Sequence, residues 1–236
     1  MIMTTLTGKT AVITGGGTGI GAGIARALAK EGVNVVLAGR RVEKLAAIES
    51  EINKADQGKA LVVKTDVTSR DDVEELAKRA EDTFGQVDIF VNNAGHMLSS
   101  TVTAGQVDDW ETMIDVNIKG VLFGINAVLP AMVERSSGHI VNVGSVAGLE
   151  VSKKSTVYSA TKYAVRAITS GLEKELAQTG VRVTNIAPGM VDTDLTSSND
   201  FGGRKKLETK DIAAAVVYAL SQPDYVNVNE INVRPV

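Results

Sequence analysis

Seven short β-branched runs punctuate the chain, and a helical pattern separates each one from the next. TAVIT (10–14), VNVVLA (33–38), ALVVKTD (60–66), VDIFVNN (87–93), HIVNVGS (139–145), VRVTNIA (181–187) and VNVNEINV (226–233) read as strands. Most are continuously apolar rather than alternating, as parallel strands covered on both faces are. Helical periodicity fills about 19–31, 41–54, 70–84, 107–134, 155–179 and 209–221. Parallel neighbours cannot be joined by hairpins and need a crossover segment. The alternation therefore restricts the chain to an α/β fold, a doubly wound parallel sheet with helices on both faces. Gly85, Gly138 and Gly180 fall between a helix and the following strand, where helix ends favour glycine. No repeat, low-complexity tract or proline-rich linker interrupts the pattern, and one domain spanning 1–236 is expected.

Composition narrows the partners. A formal charge of −3 offers no global positive field for nucleic acid or an anionic membrane. With no cysteine, disulfides and thiolate metal sites are excluded, and a reducing compartment is permitted. The two histidines, His96 and His139, are too few for a histidine-built metal centre. The opening MIMTTLTGKT has no cationic start followed by a long apolar run, so no secretory signal is expected. Nor does any stretch read as a bilayer span of roughly 18–20 apolar residues. The expectation is a soluble, cytoplasmic protein with no membrane and no nucleic-acid partner.

The first strand runs directly into TGGGTGIG (14–21), and a helix follows at once. Glycines there let backbone N–H groups approach an anion, and the positive end of the helix dipole faces it. Gly17, Gly19 and Ala22 satisfy the general dinucleotide fingerprint. Gly15, Thr18 and Ile20 complete the loop that would hold the phosphates. At the end of the second strand, where an NAD site carries an acidic residue, this chain has Gly39, Arg40 and Arg41. A carboxylate would repel a 2′-phosphate, whereas guanidinium groups chelate it. The reading is NADP(H) over NAD(H).

Residues 157–165, VYSATKYAV, place Tyr158 one helical turn before Lys162 with no acidic residue nearby. A lone Tyr-x-x-x-Lys says little; its companions decide. TGGGTGIG supplies Thr14, Gly15, Gly19 and Gly21; Asp66 and Val67 follow the third strand. Asn92, Asn93, Ala94 and Gly95 follow the fourth. Asn117 lies in VNIKG, Ser145 in NVGSVAG, and PGMVDT occupies 188–193. In this order and on these elements, the chain resembles the short-chain dehydrogenase/reductase family along essentially its whole length.

The resemblance implies a single-domain Rossmann fold with strand order 3-2-1-4-5-6-7 and an NADP-dependent oxidoreductase. It implies that Asp66 and Val67 meet the adenine, and that Asn93, Ala94 and Gly95 line its ribose and the inner face of the cofactor. Pro188, Gly189, Val191 and Thr193 would cradle the nicotinamide. Tyr158 would exchange the proton, Lys162 would acidify it and hold the ribose, and Ser145 would polarise the carbonyl. Asn117 would hold a water connecting Lys162 to solvent. Bringing a phenol from ~10 to neutral pH requires about 4 kcal/mol of phenolate stabilisation, expected here from the ammonium assisted by the positive nicotinamide of the oxidised complex. No metal is implied.

Substrate choice is less constrained. HMLSS (96–100), AGLEVSKKST (147–156) and the segment after Met190 should line the pocket, and about fifteen residues separate Thr193 from the next helix. A small carbonyl or secondary alcohol fits so short a lid. A carrier-bound 3-oxoacyl group and a hydroxy amino acid such as serine are alternatives, and a non-catalytic NADP(H) sensor is the alternative outside enzymology. Helices 113–133 and 155–172 are apolar around much of their circumference, which points to a homodimer or homotetramer.

Overall fold

The structure is a computed structural model describing residues 5–55, 57–197 and 202–236. Strands β1 (Thr10–Thr14), β2 (Asn34–Gly39), β3 (Ala60–Lys64), β4 (Ile89–Asn92), β5 (Gly138–Val143), β6 (Val181–Pro188) and β7 (Glu230–Val233) form one parallel sheet. Their order is β3-β2-β1-β4-β5-β6-β7. The helices are α1 (Gly19–Lys30), α2 (Val42–Ala55), α3 (Arg70–Phe84), α4 (Val107–Ile114), α5 (Gly120–Glu134), α6 (Thr156–Glu175) and α7 (Thr209–Leu220). β1 pairs with β2 on one side and β4 on the other. Chain direction across the sheet reverses there, so the loops after β1 and β4 part and leave a crevice at their C-terminal ends.

Strand parity explains the continuous apolar runs. Ala11 and Ile13 of β1 and Val35 and Leu37 of β2 pack with α1, α2 and α7 through Ile24, Leu28, Leu45, Ile48, Ile212 and Val216. The intervening Val12, Val36 and Ala38 pack with α3, α5 and α6 through Leu76, Val121, Ile125, Val165 and Leu172. Whichever way a Cβ points, it enters a core, and each such side chain contributes about 1.5–3 kcal/mol by leaving water. Helix ends follow local rules. In α3, Ser69 Oγ accepts from the Asp72 N–H (3.2 Å), Asp71 and Asp72 oppose the dipole, and Gly85 closes the helix at φ 92°.

Three elements differ from expectation. β7 begins at Glu230 rather than Val226, because the Val183 N–H, which a longer β7 would engage, donates instead to the Asn227 side chain (2.9 Å). Gly138 is the first residue of β5 and not a helix terminator; Ser136 takes the left-handed turn at φ 53°. A Cβ at Gly138 would lie 2.5 Å from Met132 Cγ and Sδ, so close approach explains the glycine. Finally, the helix expected over 107–134 is present, with α4, a π-helical turn at Asp115–Lys119 and α5 in one continuous run, Val107–Glu134; what differs is that it is long and apolar enough to cross a bilayer by length and composition. Its apolar residues Met113, Val116, Val121, Ile125, Val128 and Met132 are buried in the protein core.

Gly124 marks where α5 crosses β4. A Cβ there would collide with Asn92 Oδ1 and lie 2.5 Å from Phe90 Cε1. Asn92 is held by its own bond to Asn142 Oδ1 (2.9 Å), so neither neighbour yields easily. Gly124→Ala is expected to cost about 2–3 kcal/mol. Urea unfolding should show a lower midpoint at unchanged slope; an unchanged midpoint would mean that α5 simply shifts outward.

Candidate active site

The crevice is a cleft of about 610 Å3, within the range of small-molecule sites. Its floor is tied at the switch point. Thr14 Oγ1 at the end of β1 accepts from the backbone N–H groups of Asn93 and Ala94 (both 3.0 Å), and Asn93 Nδ2 donates to the Thr14 carbonyl (2.8 Å). Those bonds hold the glycine loop against the end of β4. Gly15 and Gly19 adopt φ 66° and 54°, where side chains are strained. A Cβ at Gly21 would collide with the Gly15 carbonyl. Thr18 precedes α1 without a side-chain cap, and no acidic residue occupies the first turn. The free N–H groups and positive dipole of α1 thus face the cleft unanswered, an arrangement that fits a pyrophosphate.

Cations line the neighbouring wall. Arg41 Nη2 donates to Thr18 Oγ1 (3.1 Å), and Arg40 Nη2 lies 3.4 Å from His96 Nε2. Lys44, in the first turn of α2, lines the same wall. No ion pair is recorded for any of the three among the described residues. Across from them, Asp66 accepts from Thr68 N (3.0 Å) and Thr68 Oγ1 (2.8 Å). Burial pushes its carboxyl up, but the Thr68 bonds and the nearby Arg40 charge outweigh this and hold it below its ordinary value.

At the other end, α6 presents Tyr158 and Lys162 on one face, and both are buried (9% and 6% exposed). Lys162 Nζ donates to the Val143 carbonyl at the end of β5 (2.9 Å) and sits 5.9 Å from the centre of the Tyr158 ring. Burial lowers Lys162 to about 8. For Tyr158 the direction is opposite to the sequence expectation. Burial raises the phenol above its ordinary value, and the Ser145 hydroxyl, through a hydrogen bond, only partly opposes it. Desolvation disfavours the charged form of each side chain, phenolate and ammonium alike.

Asn117 lies in the π-helical turn, 1% exposed. Its Oδ1 accepts from the His96 N–H (2.8 Å), and its Nδ2 donates to the His96 carbonyl (2.9 Å) and Thr161 Oγ1 (3.0 Å). The amide clamps the loop after β4 to α6, so the side chain's visible work is positioning. Ser145 Oγ accepts from Ala147 N (3.1 Å) and lies 3.5 Å from the Pro188 carbonyl.

Gly15, Gly17, Thr18, Gly19, Ile20, Gly39, Arg40, Arg41, Asp66, Val67, Asn93, Ala94, Gly95, Tyr158, Lys162 and Thr193 share the cleft wall. Pro188 ends β6 with its carbonyl 3.5 Å from Ser145 Oγ, and Gly189 and Val191 follow it. The Gly189 N–H donates to the Val233 carbonyl (2.7 Å), and Val191 is buried and bridged to Leu207. Of that loop, Thr193 reaches the cleft, with Asp194 and Leu195 beyond it. Part of the lid region, residues 198–201, lies outside the described residues. Sequence reasoning missed Lys44, although a lysine at a helix start, against the dipole, is the same signal that singled out Arg40. His96, expected in the pocket lining with 97–100, does line the cleft.

The pattern of the family described as short chain dehydrogenase matches residues 9–201. A Staphylococcus aureus protein described as an uncharacterized oxidoreductase is 58% identical over 234 residues, covering 99% of this chain and all of its relative. Among solved structures, the closed form of a serine dehydrogenase complexed with NADP+ superposes with a TM-score of 0.88 at 35% identity, over 95% of this chain and 94% of the other. An alcohol dehydrogenase from the archaeon Thermococcus sibiricus, complexed with 5-hydroxy-NADP, gives 0.89 at 32% identity over 97% of each chain. The chain is a member of the short-chain dehydrogenase family of oxidoreductases.

Proposed function

We propose that the protein is an NADP(H)-dependent oxidoreductase that interconverts a small ketone or aldehyde with the corresponding alcohol. One observation carries this reading. A single cleft holds Arg40, Arg41 and Lys44 at one end and the buried Tyr158–Lys162 pair at the other. The NADP forms bound to the two solved relatives support the cofactor choice. The bound nicotinamide supplies the hydride, which no side chain can carry.

Everything else falls to the protein. Ser145, beside the phenol, donates to the carbonyl oxygen and stabilises negative charge as it develops. Tyr158 then gives its proton to that oxygen. A phenol raised by burial keeps its proton until an alkoxide-like oxygen forms, which suits the reducing direction. Lys162, lowered to about 8, titrates close to neutral pH and can return a proton to the phenolate. Asn117 fixes the loop after β4 and, through Thr161, the α6 turn that carries Tyr158, whose carbonyl accepts from Thr161 Oγ1 (2.7 Å).

Arg40→Ala is expected to weaken NADPH binding by about tenfold or more, the value of a charge-assisted pair, while NADH changes little. Fluorescence titration of both cofactors reads the difference; equal losses would remove the 2′-phosphate assignment. A coupled absorbance screen of carbonyl compounds with NADPH and NADH tests the function itself. Turnover of none of them, with NADPH still bound, would favour a sensor. A second substrate reading, a hydroxy acid, is favoured by the similarity to serine dehydrogenase and by Lys153 and Lys154 in the β5–α6 connection. Oxidation of serine in preference to neutral alcohols would select it, and a strong preference for carrier-linked substrates would select a 3-oxoacyl reductase instead. Ile114, Leu122 and Val133 on the long helix and Tyr163 on α6 are exposed, which supports burial against a second copy; light scattering reads the assembly.

A further inference from the structure

His96 stands at the point where β4 delivers the chain into the cleft, and its surroundings are unusual for a loop histidine. Its backbone is gripped at both N–H and carbonyl by Asn117, so the residue is placed and not free to wander. Its ring lines the cleft and brings Nε2 to 3.4 Å from Arg40 Nη2. A guanidinium can only donate, so Nε2 must be the unprotonated nitrogen and the ring must be neutral. Burial, followed by the Arg40 charge, pushes the imidazole below its ordinary value.

The charges around it are unbalanced. Arg40 follows β2, Arg41 and Lys44 belong to the start of α2, and Lys162 of α6 approaches the adjacent Gly95, whose Cβ position lies 3.7 Å from Nζ. Against these stand Asp66 after β3, already bonded by Thr68, and Asp194 from the loop after β6. Asp115 of the π-helical turn is paired with Lys119 (3.0 Å). A dianion would reverse the cationic field that adds to burial in keeping the imidazole neutral.

We propose that His96 is a fourth recognition group for the 2′-phosphate of NADP(H), taking up a proton as the phosphate seats between its ring and Arg40. The inference rests on the NADP(H) reading above. The guanidinium moves from the imidazole nitrogen to the phosphate, and the freed nitrogen becomes a donor to the same anion. NADP binding is then linked to proton uptake by the protein, and NAD binding is not. The sign follows: affinity for NADP rises as pH falls from the bound-state to the free-state value of His96. The phosphate's own second ionisation near ~6 works in the opposite direction, because the cations drive it to the dianion and release a proton.

Calorimetric titration of the full-length protein with NADP+ and NAD+ at pH 7 tests this, using two phosphate-free buffers of different ionisation enthalpy. The wild type should take up protons with NADP+ and not with NAD+. His96→Gln, which keeps a hydrogen-bonding tip but cannot charge, should lose the uptake and bind NADP+ roughly fivefold more weakly, with NAD+ changed by less than about twofold. A variant with the wild-type proton count and the wild-type NADP+/NAD+ ratio would overturn the role of His96 alone. A wild type that binds both dinucleotides equally would instead sink the NADP(H) reading and this inference with it.

Discussion

Tyr158→Phe is expected to lower kcat for carbonyl reduction by on the order of a thousandfold, the value of a positioned general acid. The same variant should bind NADPH within about twofold of wild type and unfold at no lower temperature. The expectation follows from what the substitution removes. The ring remains and fills the same buried space on α6. The hydroxyl goes, and with it the proton that burial holds on the phenol against the partial opposition of the Ser145 hydrogen bond. Because the buried hydroxyl is costly to desolvate, losing it carries little stability penalty. Steady-state rates alongside fluorescence titration separate chemistry from binding. A variant retaining activity within about tenfold would place the proton donor elsewhere.

Lys162→Met should be inactive yet more stable, and its effect on stability should depend on pH in a definite sense. Lys162 titrates at about 8 in the fold against 10.5 when exposed, a difference corresponding to about 3 kcal/mol against the charged form. Between those values the unfolded chain binds the extra proton, so wild-type stability rises from pH 8 toward pH 10.5. Below about 8 the penalty is present in full. Methionine removes it but also removes the bond to the Val143 carbonyl, worth about 1 kcal/mol. At pH 7 the variant should therefore gain about 2 kcal/mol, or roughly 4–8 °C in melting temperature, and show no such rise with pH. Chemical denaturation at pH 7 and pH 10 reads both. A less stable variant would falsify the picture of an ammonium held in the fold at a cost for the sake of the site.

Much of this was legible in sequence because the governing physics is local. TAVIT became β1 residue for residue, since apolar demand on both faces leaves a parallel strand few alternatives. The glycine loop, Arg40, Arg41 and the Tyr158–Lys162 spacing also appear as read, each fixed by neighbours in the chain. What escaped was set by partners far away. Asn227 shortens β7 by answering Val183, 44 positions distant. The backbone after β6 is fixed by Val233, whose carbonyl accepts from the Gly189 N–H, and by Leu207, which is bridged to Val191. The i,i+4 spacing showed that an amine and a phenol share a helix face. It could not show that both would be buried, and burial reverses the expected direction of the Tyr158 shift. The spacing put His96 near the pocket, but did not show that Asn117, 21 positions later, holds its backbone.

The central claim is that Ser145 and Tyr158 together grip the oxygen that changes charge, while Lys162 waits behind them. A crystal structure of the ternary complex with NADP+ and a bound alcohol tests it most directly. It should place the alcohol oxygen within hydrogen-bonding distance of both the Tyr158 and Ser145 hydroxyls, ~2.5–3.0 Å for such O–H···O bonds. An oxygen bonded to neither, with the phenol turned away from it, would contradict the account.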